Sequence, residues 1–114
     1  MVLKISPSTL AAFEAEAAAR EQQAFFGWWN ARRDRLGVIS AADAQALYAA
    51  AREAARDVGI EDNDEQRIAV MAAAMRLLPR PTPRQEVLLY DAVFRDVSDD
   101  ERIAELIALR DGAL

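Results

Sequence analysis

Residues 64–78 read DEQRIAVMAAAMRLL, and this stretch decides what kind of fold the chain adopts. Apolar side chains recur around nearly the whole circumference of a helix drawn through it. One face carries Ile68, Met71, Ala72, Met75 and Leu78, and the roughly opposite face carries Val70, Ala74 and Leu77. A helix that is apolar on most sides is normally central, so the stretch predicts a buried helix. In the alternative interpretation, one of its faces is reserved for a partner protein.

Four further helices are predicted around this one from their start and stop signals. Capping patterns mark the starts, at Ser6-Pro7, Ser40, Asp62 to Glu65, Thr82-Pro83 and Ser98. Gly37, Gly59, Pro79 and Gly112 mark the stops. The predicted helices are 7–36, 41–58, 64–78, 83–97 and 99–110, and only residues 2–5 have a pattern that an extended strand would fit. Short connections favour an orthogonal or bundle-like array. The prediction is therefore an all-α fold, with residues 1–114 forming a single compact domain.

The composition narrows the chemistry that this domain could perform. Alanine accounts for 25 of the 114 residues, and the net charge is −5. There is no histidine and no cysteine, which excludes disulfides, Cys/His zinc sites and Ser-His or Cys-His catalysis. The four glycines are scattered, so no phosphate-binding loop is present. We therefore expect a protein that is not an enzyme and that needs no cofactor.

The acidic run at residues 61–65 begins like a calcium-binding loop, with carboxylates at alternate positions. Counted from Asp62, the sixth position of an EF-hand loop would be Arg67 and the twelfth would be Ala73, where the loop needs glycine and glutamate. Capping and compensation of the helix dipole explain these acids instead. No metal site is predicted.

The sequence also bears on where the chain resides. No run of about 18 apolar residues occurs, so no membrane span is expected. Residues 1–5 are too short an apolar run for a secretory signal, which makes a cytoplasmic location the expectation. Arginine supplies 13 of the 14 basic residues, and with abundant alanine this suggests a GC-rich bacterial genome.

The first predicted helix is too long for the domain that it belongs to. Its thirty residues would extend about 45 Å, whereas a globule of this size is about 34 Å across. It must therefore break or project, and Gly27 is the expected site of a bend or a close helix crossing. Half of the aromatic residues lie in the run FFGWW at 25–29. One apolar stripe of this helix carries Leu10, Phe13, Ala17, Ala24 and Trp28, with Phe25 and Trp29 at its border, while Phe26 points well away from it. Either a second layer of the fold covers Phe26 and the four rings form the centre of the core, or a partner covers it.

Three features follow one another along the chain. They are Leu3 to Ser6 followed by Leu10 and Phe13, an alanine-rich helix closing at Gly59-Ile60, and a Met- and Leu-rich helix before a proline loop. This layout resembles a family of small helical proteins that are encoded beside type VI secretion effectors in bacteria. That family usually has a glycine and aromatic-acidic loop after the third helix, where this chain has residues 79–84. The resemblance implies a non-enzymatic accessory protein, such as an immunity protein, an adaptor or an effector chaperone.

Protein binding is the function that these observations predict. Aromatic residues with a nearby arginine are typical of interface hot spots, and an acidic surface complements a basic partner. The predicted contact residues are Phe26, Trp29, Arg33, Asp62, Asp64 and Glu65. The partner would be a secreted effector or a second copy of the chain, as in a homo-oligomeric structural protein. A different alternative is a nucleic-acid-binding regulator that uses the arginines at 32–35 and at 76, 80 and 84, although the acidic net charge disfavours it.

Overall fold

The computed structural model describes the backbone of residues 7–113 and, except at positions 7–10, 13 and 18, their side chains. Six helices follow one another along it. They are α1 (Pro7–Asn30), α2 (Arg33–Leu36), α3 (Ala41–Asp57), α4 (Glu65–Leu77), α5 (Pro83–Phe94) and α6 (Asp99–Arg110). Within residues 7–113 there is no strand, and the predicted all-α class is confirmed. The possible extended segment at residues 2–5 lies outside the described residues.

The predicted capping residues begin four of the helices. The side-chain oxygens of Ser40, Asp64, Thr82 and Ser98 each accept a hydrogen bond from the backbone N–H three residues further on. At α5 the arrangement is reciprocal, because Gln85 also accepts the backbone N–H of Thr82 at 2.9 Å. These bonds satisfy backbone donors that have no partner inside the helix. Local sequence signals therefore fix where α3 to α6 begin.

Helix α4 occupies the centre of the molecule and packs against α1, α2, α3, α5 and α6. Every residue from Ile68 to Ala74 is buried, and so are Leu77 and Leu78. Alanines at positions 69, 72, 73 and 74 let the neighbouring helices approach closely. The predicted central helix is confirmed, and its buried turns leave no free apolar face for a partner.

The predicted helix 7–36 is in fact two helices, because the helical conformation is interrupted between α1 and α2. After the break Leu36 is buried, and the indole Nε1 of Trp29 donates to the carbonyl oxygen of Gly37 at 2.8 Å. In an unbroken helix, Gly37 would lie about 12 Å further along the axis than Trp29. A buried indole N–H requires a partner, and the break supplies one.

Helix α5 ends at Phe94, three residues before the predicted end of 83–97. The next residue, Arg95, is extended, and its carbonyl oxygen accepts from Nε and Nη2 of Arg102 at 2.9 and 2.7 Å. Arg102 is almost fully buried and also donates to Asp99 at 2.9 Å. Because a buried guanidinium must be hydrogen-bonded, the chain leaves the helix where its carbonyl can serve as an acceptor.

Helix α1 runs uninterrupted through Gly27, so the helix does not break at this residue. A methyl group added at Gly27 would meet nothing within 4 Å, so no close helix crossing requires this glycine either. The helix is about 36 Å long by its residue count. All described side chains between positions 11 and 20 are exposed, and the first one that is partly covered is Glu21. The molecule measures 61 × 28 × 24 Å, because this part of α1 extends away from the packed helices. We call residues 11–20 the projecting segment.

Candidate binding site: an aromatic pocket at the base of the projecting segment

Four aromatic rings meet where α1 reaches the packed helices. The ring centroid of Phe25 lies 6.0 Å from that of Trp28, 5.9 Å from that of Trp29 and 5.0 Å from that of Tyr48. Phe25 and Trp28 are nearly parallel at 19°, whereas Phe25 and Trp29 meet edge to face at 61°. Such offset and edge contacts are the favoured arrangements of aromatic pairs. The sequence predicted crowding at 25–29, and the structure adds Tyr48 of α3 to it.

A pocket of about 140 Å³ opens beside these rings, between α1, α3 and α4. Its apolar wall consists of the rings of Phe25, Trp28 and Tyr48 together with two alanines. Carboxylates of Glu21 from α1 and Glu65 from α4 complete the lining. The full set is Glu21, Ala24, Phe25, Trp28, Tyr48, Glu65, Gln66 and Ala69. A small cleft with aromatic walls and a few polar groups is the usual form of a ligand site.

Trp28 is held in place by polar contacts on its far edge. Its indole Nε1 donates to Asp99 at the start of α6 at 3.1 Å. Asp99 also accepts from the buried Arg102, which ties Trp28 to the end of α5. The guanidinium carbon of Arg32 lies 4.6 Å from the Trp28 ring centroid, and Arg32 donates to the Trp28 carbonyl. The wall of the pocket is thereby fixed before any ligand arrives.

The pocket is electrostatically negative. Burial raises the pKa of Tyr48 to about 12, and the negative charges of Glu21 and Glu65 add to this effect. Both carboxylates therefore lie near enough to the Tyr48 ring to oppose a negative charge on its oxygen. Glu21 is partly neutralised by Arg52 at 3.2 Å, whereas Glu65 takes part in no ion pair among the described residues.

The structure separates the six residues predicted to contact a partner. Trp29 is fully buried in the core, so its predicted role as an exposed anchor is wrong. Its place there follows from the break after α1, which covers the ring and pairs its N–H. Phe26 is half-buried and packs against the core, and Arg33 is exposed on α2. Neither of these two lines the aromatic pocket.

The three predicted acidic residues take different roles. Asp62 binds Arg56 through two hydrogen bonds, at 2.6 and 2.8 Å, and this contact lowers the pKa of the Asp62 carboxyl. Asp64 caps α4 and binds Arg67 at 2.8 Å. Glu65 alone of the six lines the pocket. The predicted residues therefore do not form one contiguous site.

Reasoning from the sequence missed Glu21 and Tyr48 as partners of the aromatic run, and it assigned Trp28 only to the apolar stripe. A usable signal was present, because Glu21, Phe25 and Trp28 are four and three residues apart and so share one face of α1. A carboxylate on the same face as two aromatic rings is unusual for a face that only packs. The contribution of Tyr48 and Glu65 depends on how α3 and α4 are placed, which spacing does not reveal.

No protein-family model, curated protein or solved structure matches this chain. Among the described residues there is no group of three or more side chains arranged to hold a metal ion. No helix in that same part of the chain is long and apolar enough to cross a membrane. Two features of the described structure are candidates for binding: the projecting segment and the aromatic pocket.

Proposed function

We propose that the chain is a non-enzymatic protein-binding module that presents its projecting segment to a groove on another protein. The observation that carries this proposal is the exposure of every described side chain from Ala11 to Arg20. This stretch of regular helix therefore offers its described side chains to a partner rather than to the other described helices. Helix-in-groove recognition uses such a segment, with anchors that repeat every three or four residues.

The energetics of helix formation support the binding of a partner to the projecting segment. Helical stability in proteins comes mostly from packing one face, and isolated helices of this length are marginal in water. Alanine is the best helix former, and it keeps the segment helical without a packed face. Its small side chains also allow another backbone to approach closely. A helix that is already formed loses little conformational entropy on binding, which favours affinity.

Charge supports a partner that differs from this chain. The projecting segment carries Glu14 and Glu16 against Arg20, which lies 3.8 Å from Glu16, and Glu21 follows directly. The whole chain has a net charge of −5. Two copies would therefore repel one another, whereas a groove with a basic rim would attract the helix. A second copy remains the alternative occupant, since small residues also favour pairing of identical helices.

The biological role follows from the resemblance to the type VI family as a proposal. An adaptor, a chaperone or an immunity protein of a bacterial secreted effector would each need a stable contact and no catalysis. The absence of histidine and cysteine agrees with such a role. If an effector gene lies beside the gene for this chain, that finding would favour a role as the effector's partner over a role as a general scaffold protein.

The nucleic-acid alternative is less well supported by the arginines. Eight of the thirteen arginines bind carboxylates of the chain itself, among them Arg32 with Asp100, whereas no ion pair within the described residues involves Arg33, Arg35, Arg76, Arg80 or Arg84. A guanidinium already neutralised in this way contributes little to phosphate binding. Arg76, Arg80 and Arg84 are exposed near the proline loop, and they are the residues that a mobility shift on duplex DNA at low salt would test.

Site-specific photocrosslinking in the native cells tests the proposal. A photoreactive amino acid replaces Ala12, Ala15 or Ala19 in the projecting segment. Matched controls carry it at Ala50 of α3 or Ala104 of α6, which are also exposed alanines within helices. We expect one discrete adduct from the α1 positions and at most background adducts from the controls.

The mass of the adduct distinguishes the occupants. An adduct with one different protein supports the proposal, and its identification by mass spectrometry names the partner. An adduct of twice the chain mass would replace the proposal with self-association through α1. Equal labelling at α1 and control positions, or no adduct at any α1 position, would overturn it.

A further inference from the structure

The aromatic pocket combines two features, aromatic walls and acidic side chains. Its walls are the rings of Phe25, Trp28 and Tyr48, and its polar lining includes the carboxylates of Glu21 and Glu65. The faces of aromatic rings carry partial negative charge, and carboxylates carry full negative charge. Neither arginine nor lysine lines this pocket. We infer that the pocket binds an alkylammonium cation, with the cationic head against the rings and the positive charge facing Glu65.

The volume of the pocket suits such a group. A cavity of about 150 Å³ accommodates a benzene molecule. The pocket measures about 140 Å³, so it has room for a trimethylammonium head, which has fewer heavy atoms than benzene. It is too small for a nucleotide or for a second aromatic side chain together with its backbone.

The charges around the pocket favour a cation over a neutral apolar ligand. Glu65 is exposed at the start of α4 and makes no ion pair with another described residue. Burial and both carboxylates raise the pKa of the Tyr48 hydroxyl, so the ring stays neutral at physiological pH. A neutral hydrocarbon would gain only burial, whereas a cation would also gain from the rings and the carboxylates.

The Trp28 ring also contacts a cation of the molecule itself, Arg32, which does not line the pocket. The Arg32 guanidinium lies 4.6 Å from the centroid of Trp28, within the range of a cation–π contact. The Trp28 indole is fixed by its hydrogen bond to Asp99, so no ordering of this ring is needed when a ligand binds. Preorganisation of this kind lowers the cost of binding.

Two sources could supply the alkylammonium group. One is a free quaternary amine of the choline type, and the other is a lysine side chain, methylated or not, on a protein. The pocket adjoins the projecting segment along α1, so a lysine presented by a protein docked there would reach it. The inference stands without that docking, because it rests on the pocket alone.

A pair of isosteric ligands tests the inference on the full chain. Choline and 3,3-dimethylbutan-1-ol have almost the same shape, but only choline is charged. Their binding is followed by the upfield shift of their methyl protons and by the indole N–H resonances of Trp28 and Trp29. We expect choline to bind about tenfold more tightly than the alcohol, and to shift the Trp28 resonance more than that of the buried Trp29.

Matched variants assign the contact to the pocket. Glu65→Gln should weaken choline binding several-fold, while Glu61→Gln removes the same charge from the exposed α3–α4 connection and should leave binding unchanged. Trp28→Leu should abolish the methyl shift, and circular dichroism checks that this variant keeps its helices. If Trp28→Leu fails to fold, the two glutamine variants still decide the question.

A peptide arm separates the two sources of the cation. A peptide with one trimethyllysine or one lysine that binds more tightly than choline indicates a protein ligand, and the reverse order indicates a free amine. Either order supports the inference. Equal binding of choline and its alcohol isostere, equal effects of Glu65→Gln and Glu61→Gln, or no binding by any of the probes would overturn it. None of these failures would affect crosslinking through α1, so the two proposals fail separately.

Discussion

Helix α4 and the projecting segment of α1 are both rich in alanine, yet the described alanines are buried in the first and exposed in the second. In α4 the alanines at 69, 72, 73 and 74 are buried beneath neighbouring helices. In the projecting segment the described alanines, at 11, 12, 15, 17 and 19, are all exposed. The difference lies in the side chains between them. Four large apolar side chains, those of Ile68, Val70, Met71 and Leu77, anchor α4 on several sides. The sequence of the projecting segment has one large apolar residue among its alanines, Phe13, and the others are charged.

Alanine therefore permits close packing without driving it. Burial of a methyl side chain contributes little free energy, while a fully buried isoleucine or leucine contributes about 1.5–3 kcal/mol. Large apolar residues decide where helices meet, and the alanines between them set how closely the helices approach. The following variants test this contrast, in order of expected effect.

The largest effect is expected from a charge placed in the centre of α4. Ala73→Asp would bury a carboxylate with no partner, which costs at least about 3 kcal/mol of unfolding free energy. Ala15→Asp places the same charge on the projecting segment and should change stability by less than about 0.5 kcal/mol. Urea unfolding followed by circular dichroism measures both. Similar losses in the two variants would show that the projecting segment is packed in solution.

The next effect concerns the hydrogen bonds of Asp99, which hold the packed C-terminal part of α1 against α6. Asp99→Ala removes the acceptor of both Trp28 and the buried Arg102, and should cost about 2–3 kcal/mol. The neighbouring Asp100→Ala removes an acid from the same helical turn. Its contact at 3.3 Å joins the mostly covered Arg32 to a carboxylate that is 66% exposed, so its loss should cost less than about 1 kcal/mol. Urea midpoints give the difference, and tryptophan fluorescence should change only for Asp99→Ala.

A smaller effect separates local from global stability. Ala50→Gly on the exposed face of α3 should lower the unfolding free energy by about 1 kcal/mol, because glycine is a poor helix former. Ala15→Gly carries the same local cost, but the projecting segment frays without opening the core. We expect its urea midpoint to stay at the wild-type value while amide hydrogen exchange accelerates around position 15. A lowered midpoint for Ala15→Gly would contradict the distinction.

The smallest effect depends on pH and concerns Asp64 at the partly solvated N-terminus of α4. Burial opposes ionisation of Asp64, but its hydrogen bonds and ion pair with Arg67 outweigh burial and lower the pKa of its carboxyl. A lowered pKa in the folded state means that the stabilisation is present above about pH 4, the ordinary range of aspartate, and is lost as the pH falls through the folded-state value. The pair is partly solvated, so it contributes less than about 1 kcal/mol.

The variant Asp64→Asn keeps the cap but removes the charge. Its urea midpoint should therefore fall less than that of the wild type between pH 7 and pH 3. An equal fall in both proteins would assign the acid sensitivity to other carboxylates.

Much of the fold could be predicted because its signals are local. Ser40, Thr82 and Ser98 each bond a backbone N–H three residues away, so their positions in the chain suffice to place helix starts. The two misjudged boundaries depend on distant partners. The break after α1 serves the buried Trp29 indole, and the early end of α5 serves the buried Arg102 guanidinium.

The candidate site was much less accessible to prediction. The sequence indicated that aromatic rings would crowd at 25–29, but it did not indicate which of them would be covered. Trp29 became a core residue and Trp28 became the wall of a pocket, although they are adjacent in the chain. Their helical positions differ by about 100°, and only the placement of α3, α4 and α6 assigns an environment to each.

The sequence by itself determined the all-α class, the centrality of α4 and most helix boundaries, because periodicity and capping act over three or four residues. The length of the first predicted helix required a break or a projection, and the tertiary structure decided that both occur. It alone decided that Glu21, Trp28, Tyr48 and Glu65 share one pocket. Those residues come from three helices, and the pocket lies where their side chains leave space unfilled. The location of that space follows from the packing of large side chains between helices, and no local pattern encodes it.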